Sequence, residues 1–353
     1  MNKKVKVMAI FKKCDYNKKI FDFLSLAENF LRKKTNNNVK NLNDILRLYL
    51  PNDINIISRI FYELFHTENF SKLYNDFINN ALKPFFKEDF VYQVIPSIRI
   101  AFPNSKSVNF HNDCWYGHGQ EIKNIWVPLT NVRKTQSLAF LSEIDNEKSL
   151  SYFYQKQPSL IEIQRHCEER MEFAECDYGQ FLIFPTKALH GTVTNSTNKI
   201  RVSFDFRICT NNDYGLKNPK FFRKTTKDKN VSSIKTIISK NTRTPAIGYL
   251  CQFPIFNTFK ISQTIQHEAI TSYCMKNKLD LILLETELVG FTKPLNLEDI
   301  LFGNRGGLAK NVVVFSDKLI YLEKTQYFDL IKKATLNNFR FHFVNEGYVL
   351  ESL

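Results

Sequence analysis

The chain has little of what marks an exported or membrane-spanning protein. Lys, Asn, Asp or Glu interrupts every hydrophobic stretch, so none approaches the roughly 18 apolar residues that a membrane-spanning helix requires. The N-terminal sequence MNKKVKVMAIFKKCDYNKK is basic, but its apolar run is short and no small-residue cleavage site follows, which is untypical of a signal peptide. These absences predict a soluble, cytoplasmic protein with no membrane span.

Paired cysteines are also missing. The seven cysteines are scattered, their number is odd, and no CxxC pair occurs. This pattern argues against a disulfide framework and against a zinc ribbon, since both need cysteines in matched or closely spaced sets. A reducing cytoplasm is the compartment that fits it best.

Acidic residues are outnumbered, with 35 Asp and Glu against 49 Lys and Arg, which gives a formal net charge of +14. Much of the excess falls in residues 1–20 and 217–243. Clustered basic side chains can bind nucleic-acid phosphates, but both segments read as flanks or linkers. The distribution therefore favours solvated surface, or attraction to anionic substrates, over a nucleic-acid partner. No feature of the sequence predicts an oligomeric state.

What the chain does have is a large supply of apolar residues. Of its 353 residues, 43% are hydrophobic and 32 are Phe, enough for a sizeable core. A chain of this length exceeds one ordinary domain. Residues 20–86 have apolar positions at helical spacing, as in FDFLSLAENFL and NIISRIFYELF. We predict a helical N-terminal extension over residues 1–88.

The remaining sequence predicts two further regions. From about Tyr92, short strand-like runs alternate with turn residues, as in VYQVI, SIRIAF, SVNFHND, NIWVPLT and RVSFDFRI, which predicts a jelly roll over residues 89–210. A basic linker follows over 211–245. Residues 246–353 alternate strand-like and helical segments, which indicates a small parallel-sheet α/β domain. The predicted fold class is therefore α+β, with helices, a jelly roll and a small α/β domain.

Three potential metal ligands stand out. In SVNFHND, strand alternation would place Asn109, His111 and Asp113 on one face. His190, in FLIFPTKALHGTV, follows an apolar strand and a Pro turn. Two imidazoles and one carboxylate form the facial triad that holds Fe(II) and leaves positions open for 2-oxoglutarate and O₂. We predict that His111, Asp113 and His190 are the catalytic metal ligands.

The strand RVSFDFRI offers an anchor for the co-substrate. It would place Arg201, Ser203, Asp205 and Arg207 on one face. The guanidinium fork of Arg201 matches a carboxylate, and Ser203 supplies a neighbouring hydroxyl. We predict that Arg201 and Ser203 bind 2-oxoglutarate, whereas Arg207 lies too far from Arg201 to receive a role. HxD alone occurs by chance, and its combination with the later His and Arg-x-Ser is what favours a metal site.

Other candidates have a structural alternative. His118 either faces substrate or is an ordinary loop histidine, and Arg99 either contacts a ligand or forms a structural salt bridge. Asn124 and Trp126 share a strand face that lines the mouth of the barrel, unless Trp126 is simply core. Cys167 lies in the charged, helical segment QRHCEER, for which we expect surface exposure.

Two long runs, FHNDCWYGHGQEIKNIWVPLT and LIFPTKALHGTVTNSTNKIRVSFDFRI, resemble the phytanoyl-CoA-dioxygenase-like Fe(II)/2-oxoglutarate oxygenases. More narrowly, they resemble oxygenases encoded in sporadic bacterial carbohydrate-biosynthesis clusters. The resemblance covers about residues 90–210. It implies a double-stranded β-helix, with His111, Asp113 and His190 as iron ligands and Arg201 as the 2-oxoglutarate anchor.

The C-terminal run from GYLCQF to LLETEL is similar to a small uncharacterised family associated with the same carbohydrate clusters, which implies no chemistry. GNRGGL at 303–308 is not a P-loop, because no GK[ST] follows, and it reads as a turn. We therefore expect this part of the chain to be accessory.

The sequence thus predicts a non-haem iron dioxygenase that hydroxylates or oxidises a carbohydrate or sugar nucleotide in surface-glycan biosynthesis. One alternative is an AlkB-like nucleic-acid demethylase, because Arg201 and Arg207 have the Arg-x5-Arg spacing of that group. The short gap from His190 to Arg201 and the lack of an aromatic lid for a flipped base argue against it. The other alternative is a non-catalytic jelly-roll protein for glycan binding or scaffolding, against which the intact set of four residues argues.

Overall fold

The structure is a computed structural model, and it describes residues 10–36, 38–116, 118–119, 121–210, 222–224, 243–251, 261–288, 294–302, 309–320 and 324–351. The described residues group into two compact units. The first draws on Met1–Cys114, His118–Ser151 and Ile163–Thr236, and the second on Trp115–Gly117, Tyr152–Glu162 and Ile237–Leu353. Among the described residues, no helix is long and apolar enough to cross a membrane.

Helices fill most of the N-terminal region, as its periodicity predicted. The α-helices of the described residues are α1 (Phe23–Lys34), α2 (Ile45–Leu48), α3 (Ile54–Phe65), α4 (Glu68–Phe77), α5 (Glu143–Lys156), α6 (Leu160–Glu168), α7 (Gln263–Lys276), α8 (Leu295–Phe302) and α9 (Lys324–Leu336). A π-helix at Ile78–Leu82 follows α4, and 3₁₀ turns lie at Leu42–Asp44, Pro51–Asp53, Lys83–Phe85, Asp113–Tyr116, Lys134–Gln136 and Asp317–Ile320.

Local sequence explains where two of these helices begin. The Asp22 side chain accepts a hydrogen bond from Ser25 N (3.0 Å) at the start of α1, and the Thr67 hydroxyl accepts one from Phe70 N (3.2 Å) at the start of α4. Such caps satisfy amide groups that have no partner within the helix. α1 also ends in Arg32, Lys33 and Lys34, whose charges complement the negative end of the helix dipole.

The first unit contains two antiparallel sheets. Its strands are β1 (Lys12–Asp15), β2 (Val91–Gln93), β3 (Ser97–Ala101), β4 (Ile122–Pro128), β5 (Ala139–Leu141), β6 (Met171–Phe173), β7 (Gln180–Pro185), β8 (His190–Gly191), β9 (Arg201–Cys209) and β10 (Phe222–Lys224). The larger sheet has the order β1-β7-β4-β9-β2-β10, with β3 also paired to β9, and the smaller has the order β6-β5-β8.

The long strand β9 shows how the large sheet divides apolar from polar side chains. Val202, Phe204, Phe206 and Ile208 are fully buried in the main hydrophobic cluster together with residues of α1, α3 and α4. The Phe204 ring lies 5.2 Å from that of Phe23, centroid to centroid. Burying such a ring contributes about 1.5–3 kcal/mol. The intervening residues of β9 are polar and point to the opposite face of the sheet.

Three predictions about local structure were wrong. SVNFHND is not a strand: residues 106–109 have no regular structure, His111 forms an isolated bridge and Asp113 begins a 3₁₀ turn. The N-terminal region is not wholly helical, since β1 pairs with β7. The predicted basic linker includes strand β10, which pairs with β2; residues 211–221 and 225–242 of that linker lie outside the described residues.

The second unit contains a five-stranded sheet in the order β12-β11-β13-β14-β15, formed by β11 (Thr244–Leu250), β12 (Leu279–Thr286), β13 (Asn311–Val314), β14 (Arg340–Phe343) and β15 (Tyr348–Leu350). β11 to β14 are parallel, as the alternating pattern predicted, and β15 adds an antiparallel edge. Buried Glu287 accepts hydrogen bonds from Tyr249 Oη (2.7 Å) and from Asn296 N (3.0 Å). The turn predicted at 303–308 lies outside the described residues.

Candidate metal centre

The structure brings His111, Asp113 and His190 together in the first unit. Each offers one ligand atom, and these atoms all lie within 4.8 Å of one another. His111 Nε2 is 3.4 Å from Asp113 Oδ1, and the two imidazole centroids are 4.4 Å apart. Within the described residues this is the one cluster of three or more His, Cys, Asp or Glu that could hold a metal ion.

Hydrogen bonds fix both imidazoles in the orientation that a metal needs. His111 Nδ1 donates to Asn109 O (2.8 Å), and His190 Nδ1 donates to Ala188 O (2.9 Å). A carbonyl oxygen can only accept, so Nδ1 carries the proton in each ring and Nε2 keeps its lone pair. Partners of this kind orient metal-ligating histidines and set their tautomer. Both Nε2 atoms are therefore prepared as ligands.

The backbone holds the two imidazoles next to each other. His111 N donates to His190 O (3.0 Å) and His190 N donates to His111 O (2.9 Å), which makes an isolated antiparallel bridge between the HxD segment and β8. Gly191 permits this close approach, because a Cβ there would lie 2.7 Å from Phe110 Cα. The two imidazoles are therefore held side by side without a long pair of strands.

Two amide side chains brace the segments that carry the histidines. Gln164, on α6, accepts from Phe110 N (2.7 Å) and donates to Phe110 O (3.0 Å). Asn146, on α5, accepts from Leu189 N (2.6 Å). These bonds satisfy backbone groups that have no strand partner, which explains why SVNFHND holds its position without being a strand.

Arg207 lies against the carboxylate of the triad. Its Nη2 is 3.3 Å from Asp113 Oδ2, and Asp113 is only 3% exposed. Burial alone would raise the pKa of the Asp113 carboxyl, but the charge of Arg207 holds that pKa well below its ordinary value. Asp113 is thus ionised, as a metal ligand must be.

Burial keeps two histidines at this site, His190 and His118, neutral. Burial, followed by the charge of His111, lowers the pKa of His190 to about 4. Burial, followed by the charge of Arg207, lowers the pKa of His118 to about 4, and His118 N donates to Asp113 O (3.3 Å). His118 therefore flanks the centre, although the sequence favoured an ordinary loop position for it.

Arg201 is a buried cation without an anion. It is 1% exposed, and its Nη2 donates to Ser107 Oγ (2.7 Å) while Nη1 donates to Gln136 O (3.3 Å). Nε has no hydrogen-bond partner, and no carboxylate among the described residues forms an ion pair with this guanidinium. Burial, then the charge of Arg99, lowers the pKa of Arg201 to about 10. Such a group lacks the compensating charge that burial normally demands.

The remaining candidates have other partners. Ser203 is fully buried, and its hydroxyl accepts from Trp126 Nε1 (3.0 Å); its predicted contact with 2-oxoglutarate stays a prediction. Arg99 forms an ion pair with Asp205 (Nε to Oδ2, 2.6 Å), the structural alternative that the sequence offered for it. Cys167 is completely buried, so the expected surface exposure was wrong.

A single cavity joins the triad to the polar face of the large sheet. It is lined by Arg99, Val108, His111, Asp113, Asn124, Trp126, Leu138, Phe184, His190, Arg201, Asp205 and Arg207. Its volume of about 40 Å³ exceeds the roughly 10–15 Å³ that a single water molecule needs. Ligand atoms can therefore lie beside the triad.

Comparison with known proteins gives limited similarity. No family model matches the chain. The streptomycin biosynthesis protein StrG of Streptomyces griseus is 28% identical over 159 residues, which are 44% of this chain and 63% of StrG. The chain thus spans less than two thirds of the length of the curated relative that it matches.

Several solved structures are weakly similar. The non-haem monooxygenase ThoJ in complex with nickel covers 57% of this chain and 72% of its own, at 14% identity and a TM-score of 0.34. HygX from Streptomyces hygroscopicus, with nickel and 2-oxoglutarate bound, covers 57% and 82% at 11% identity and a TM-score of 0.34. At scores this low the similarity establishes no shared fold, and the chemistry of the site rests on its own geometry.

Sequence reasoning missed the residues that support the ligands. Arg207 received no role, yet it is the cation on Asp113. Gln164 and Asn146 were not considered, because amides on amphipathic helices carry no pattern that distinguishes a brace from a solvated side chain. The Arg-x5-Arg spacing was the one available signal for Arg207, since it puts both guanidinium groups on the same face of β9.

Proposed function

We propose that this chain is an Fe(II)- and 2-oxoglutarate-dependent oxygenase. The observation that carries the proposal is the convergence of His111, Asp113 and His190 on a cavity that also holds Arg201 as a buried guanidinium with no anion. Two imidazoles and a carboxylate with open positions are the ligand set of non-haem Fe(II) oxygenases. Zinc hydrolases use similar ligands, and the buried guanidinium of Arg201 favours the oxygenase, because 2-oxoglutarate has a second carboxylate distal to the group that chelates the metal.

Each residue receives a role from its surroundings. His111, Asp113 and His190 would hold Fe(II), which with 2-oxoglutarate and O₂ supplies the oxidising chemistry when bound. Arg201 would bind the distal carboxylate, because a guanidinium pairs with a carboxylate through two parallel hydrogen bonds. Ser203 would stand beside that carboxylate, with a hydroxyl that already accepts a hydrogen bond from Trp126 Nε1.

The substrate that we propose is a carbohydrate or a sugar nucleotide, which the enzyme would hydroxylate or oxidise. The cavity wall supports a polar substrate, since Arg99, Asn124, Asp205 and Arg207 all line it. Asn124 Nδ2 has no hydrogen-bond partner among the described residues and is free to bind a hydroxyl oxygen. The name of StrG also supports a role in the biosynthesis of a small molecule.

The domain division is part of the same proposal. The two antiparallel sheets would form a jelly roll whose strands come mainly from residues 89–210, with β1 contributed by the N-terminal extension and β10 by residues 222–224. Residues 246–353 would form an accessory α/β domain, and the protein would act in the cytoplasm. The parallel order of β11 to β14 supports the α/β assignment of the last region.

The decisive test is co-substrate turnover. Wild-type protein supplied with Fe(II), ascorbate and 2-oxoglutarate should form succinate, and His111→Ala should form almost none. His66→Ala is the matched control, because His66 is an exposed histidine at the end of α3, and it should behave like wild type. If wild type forms no succinate and binds no divalent metal by calorimetry, the chain is the non-catalytic protein considered above.

A panel of substrates separates the remaining possibilities. Turnover stimulated by sugars or sugar nucleotides supports the proposed substrate class. Turnover stimulated by methylated oligonucleotides alone would instead establish the demethylase alternative and remove the carbohydrate proposal.

A further inference from the structure

The two oxygens of the Asp113 carboxylate face different partners. Oδ1 lies 3.4 Å from His111 Nε2, on the side where the three ligand atoms converge. Oδ2 lies 3.3 Å from Arg207 Nη2. The carboxylate is therefore oriented, with one oxygen toward the metal position and the other toward a guanidinium.

Arg207 is held in place by the large sheet. It lies on β9 directly opposite Asn124 of β4, and its backbone N donates to Gln93 Oε1 (3.3 Å). Its side chain is 18% exposed, and Nε has no hydrogen-bond partner among the described residues. The contact with Asp113 is thus the interaction that fixes the end of this side chain.

The second cavity arginine does not duplicate that contact. Arg99 is paired with Asp205 at 2.6 Å, and no ion pair joins Arg99 to Asp113. In the described part of the chain, the ion-pair partner of Asp113 is Arg207, which contacts Oδ2, whereas His111 Nε2 faces Oδ1. Loss of the Arg207 side chain would therefore leave Oδ2 without a charged partner other than a metal.

A carboxylate can bind a metal ion through one oxygen or through both. Three protein donors leave three positions of an octahedral ion open, and 2-oxoglutarate takes two of them when it chelates. If Asp113 used both oxygens, it would occupy one of the three open positions, so bound 2-oxoglutarate would fill the other two and leave none for O₂. A guanidinium on Oδ2 opposes that second bond.

We propose that Arg207 is a positioning residue that restricts Asp113 to a single metal-facing oxygen and so keeps a coordination position open beside the bound co-substrate. This inference rests on the proposed function. It predicts that loss of Arg207 changes the coordination of the metal more than the affinity for metal or co-substrate, because a carboxylate released to bind through both oxygens still holds the ion and still leaves two positions for 2-oxoglutarate.

The test uses the full-length chain with Co(II), whose visible absorption reports its coordination and which replaces Fe(II) without turnover. Calorimetry gives the affinity for Co(II), and then the affinity of the Co(II)-loaded protein for 2-oxoglutarate. For Arg207→Met we expect a changed Co(II) spectrum, with affinities for Co(II) and for 2-oxoglutarate that fall less than the roughly 10–100-fold typical when a group supporting a metal ligand is removed.

Arg133→Met is the control, since it removes an exposed arginine whose partners are Glu175 and Asp177 and leaves the cavity untouched, and it should leave the spectrum of the Co(II)-loaded protein unchanged. Arg207→Lys keeps one donor and should recover part of the wild-type spectrum. It also replaces Arg207→Met if thermal unfolding shows that the Met variant does not fold.

Two results overturn the inference: an Arg207→Met protein with a wild-type Co(II) spectrum, or a folded variant whose affinity for Co(II) falls by about tenfold or more, which would make Arg207 a general support of the metal site. Both leave the proposed function intact. Failure of the wild-type protein to bind Co(II) would instead remove the proposed function, and this inference with it.

Discussion

The two faces of strand β9 lie in opposite environments, one apolar and one charged. On one face, Val202, Phe204 and Phe206 are buried against aromatic side chains of the N-terminal helices. On the other face, Arg201 and Arg207 carry charges into a cavity of about 40 Å³. Burial of apolar surface on the first face stabilises the folded protein, whereas burial of the cations on the second face destabilises it.

This difference shows where stability and binding capacity come from in the first unit. A desolvated cation without an anion binds one strongly, because the ligand supplies the charge that folding did not provide. Substitutions on the apolar face should therefore act on folding, and substitutions on the cavity face should act on ligands. The following predictions are ordered from the largest expected effect to the smallest.

Phe204→Ala should destabilise the protein by about 3–5 kcal/mol, the usual cost of deleting a buried aromatic ring. Phe204 is fully buried and lies 5.2 Å from Phe23 and 6.1 Å from Phe70, ring centroid to centroid. Urea unfolding measures the effect. A loss below about 1 kcal/mol would mean that the helices do not depend on this face.

Acid should destabilise the metal-free protein through the cavity. The pKa of His190 is about 4 in the folded protein, against an ordinary value of 6.5. Between these values the unfolded chain binds a proton that the folded protein does not, so the free energy of unfolding falls as the pH falls from 6.5 to 4, by up to about 3 kcal/mol. The loss is complete below pH 4.

The comparison of wild type with His190→Gln measures this term, after chelation of any metal. The variant should lose less stability than wild type over the same pH range, although His118, with a pKa also about 4, keeps its own contribution. Parallel stability curves for the two proteins would show that His190 is not kept neutral by burial.

Arg201→Met should weaken 2-oxoglutarate binding to the metal-loaded protein about 100-fold, which corresponds to roughly 2.7 kcal/mol, within the range for lost hydrogen bonds to charged groups. The same change should leave the ligand-free protein as stable as wild type or more stable, because it removes a buried charge without an anion. Calorimetry and urea unfolding measure the two effects. Strong destabilisation with unchanged affinity would make Arg201 a structural residue.

Ser203→Ala should have the smallest effect. Its hydroxyl accepts from Trp126 Nε1, so the variant leaves a buried indole N–H without a partner and should destabilise the protein by about 1 kcal/mol. We expect 2-oxoglutarate affinity to change far less than in Arg201→Met. An affinity loss that matches Arg201→Met would place Ser203 directly on the co-substrate.

The sequence allowed the convergence of His111, Asp113 and His190 to be predicted because residue type and chain order together specify a metal site. It did not reveal the path of the chain at the first two ligands. Strand alternation assumes a neighbouring strand, but here the neighbour of Phe110 is the side chain of Gln164. The three side chains do converge although the local reason was wrong, and their role as metal ligands stays a prediction.

The partner of Arg207 could not be predicted for a related reason. Its contact with Asp113 depends on the pairing of β9 with β4 and on the 3₁₀ turn that begins at Asp113, and both are set by tertiary packing. In the second unit, by contrast, short apolar strands and amphipathic helices alternate in order, and β11 to β14 pair as that order predicts. The antiparallel edge strand β15 follows from a turn at Gly347, whose φ of +73° favours glycine.

Gln164 holds the backbone next to His111 in place of a neighbouring strand. One amide from α6 makes both hydrogen bonds that an adjacent strand would give Phe110, at 2.7 and 3.0 Å. His111 is therefore one peptide away from a point fastened to a helix that contributes no ligand. A displacement of α6 would therefore act on His111 through Phe110, so a substitution on this helix could change the position of the imidazole while His111, Asp113 and His190 stay unchanged.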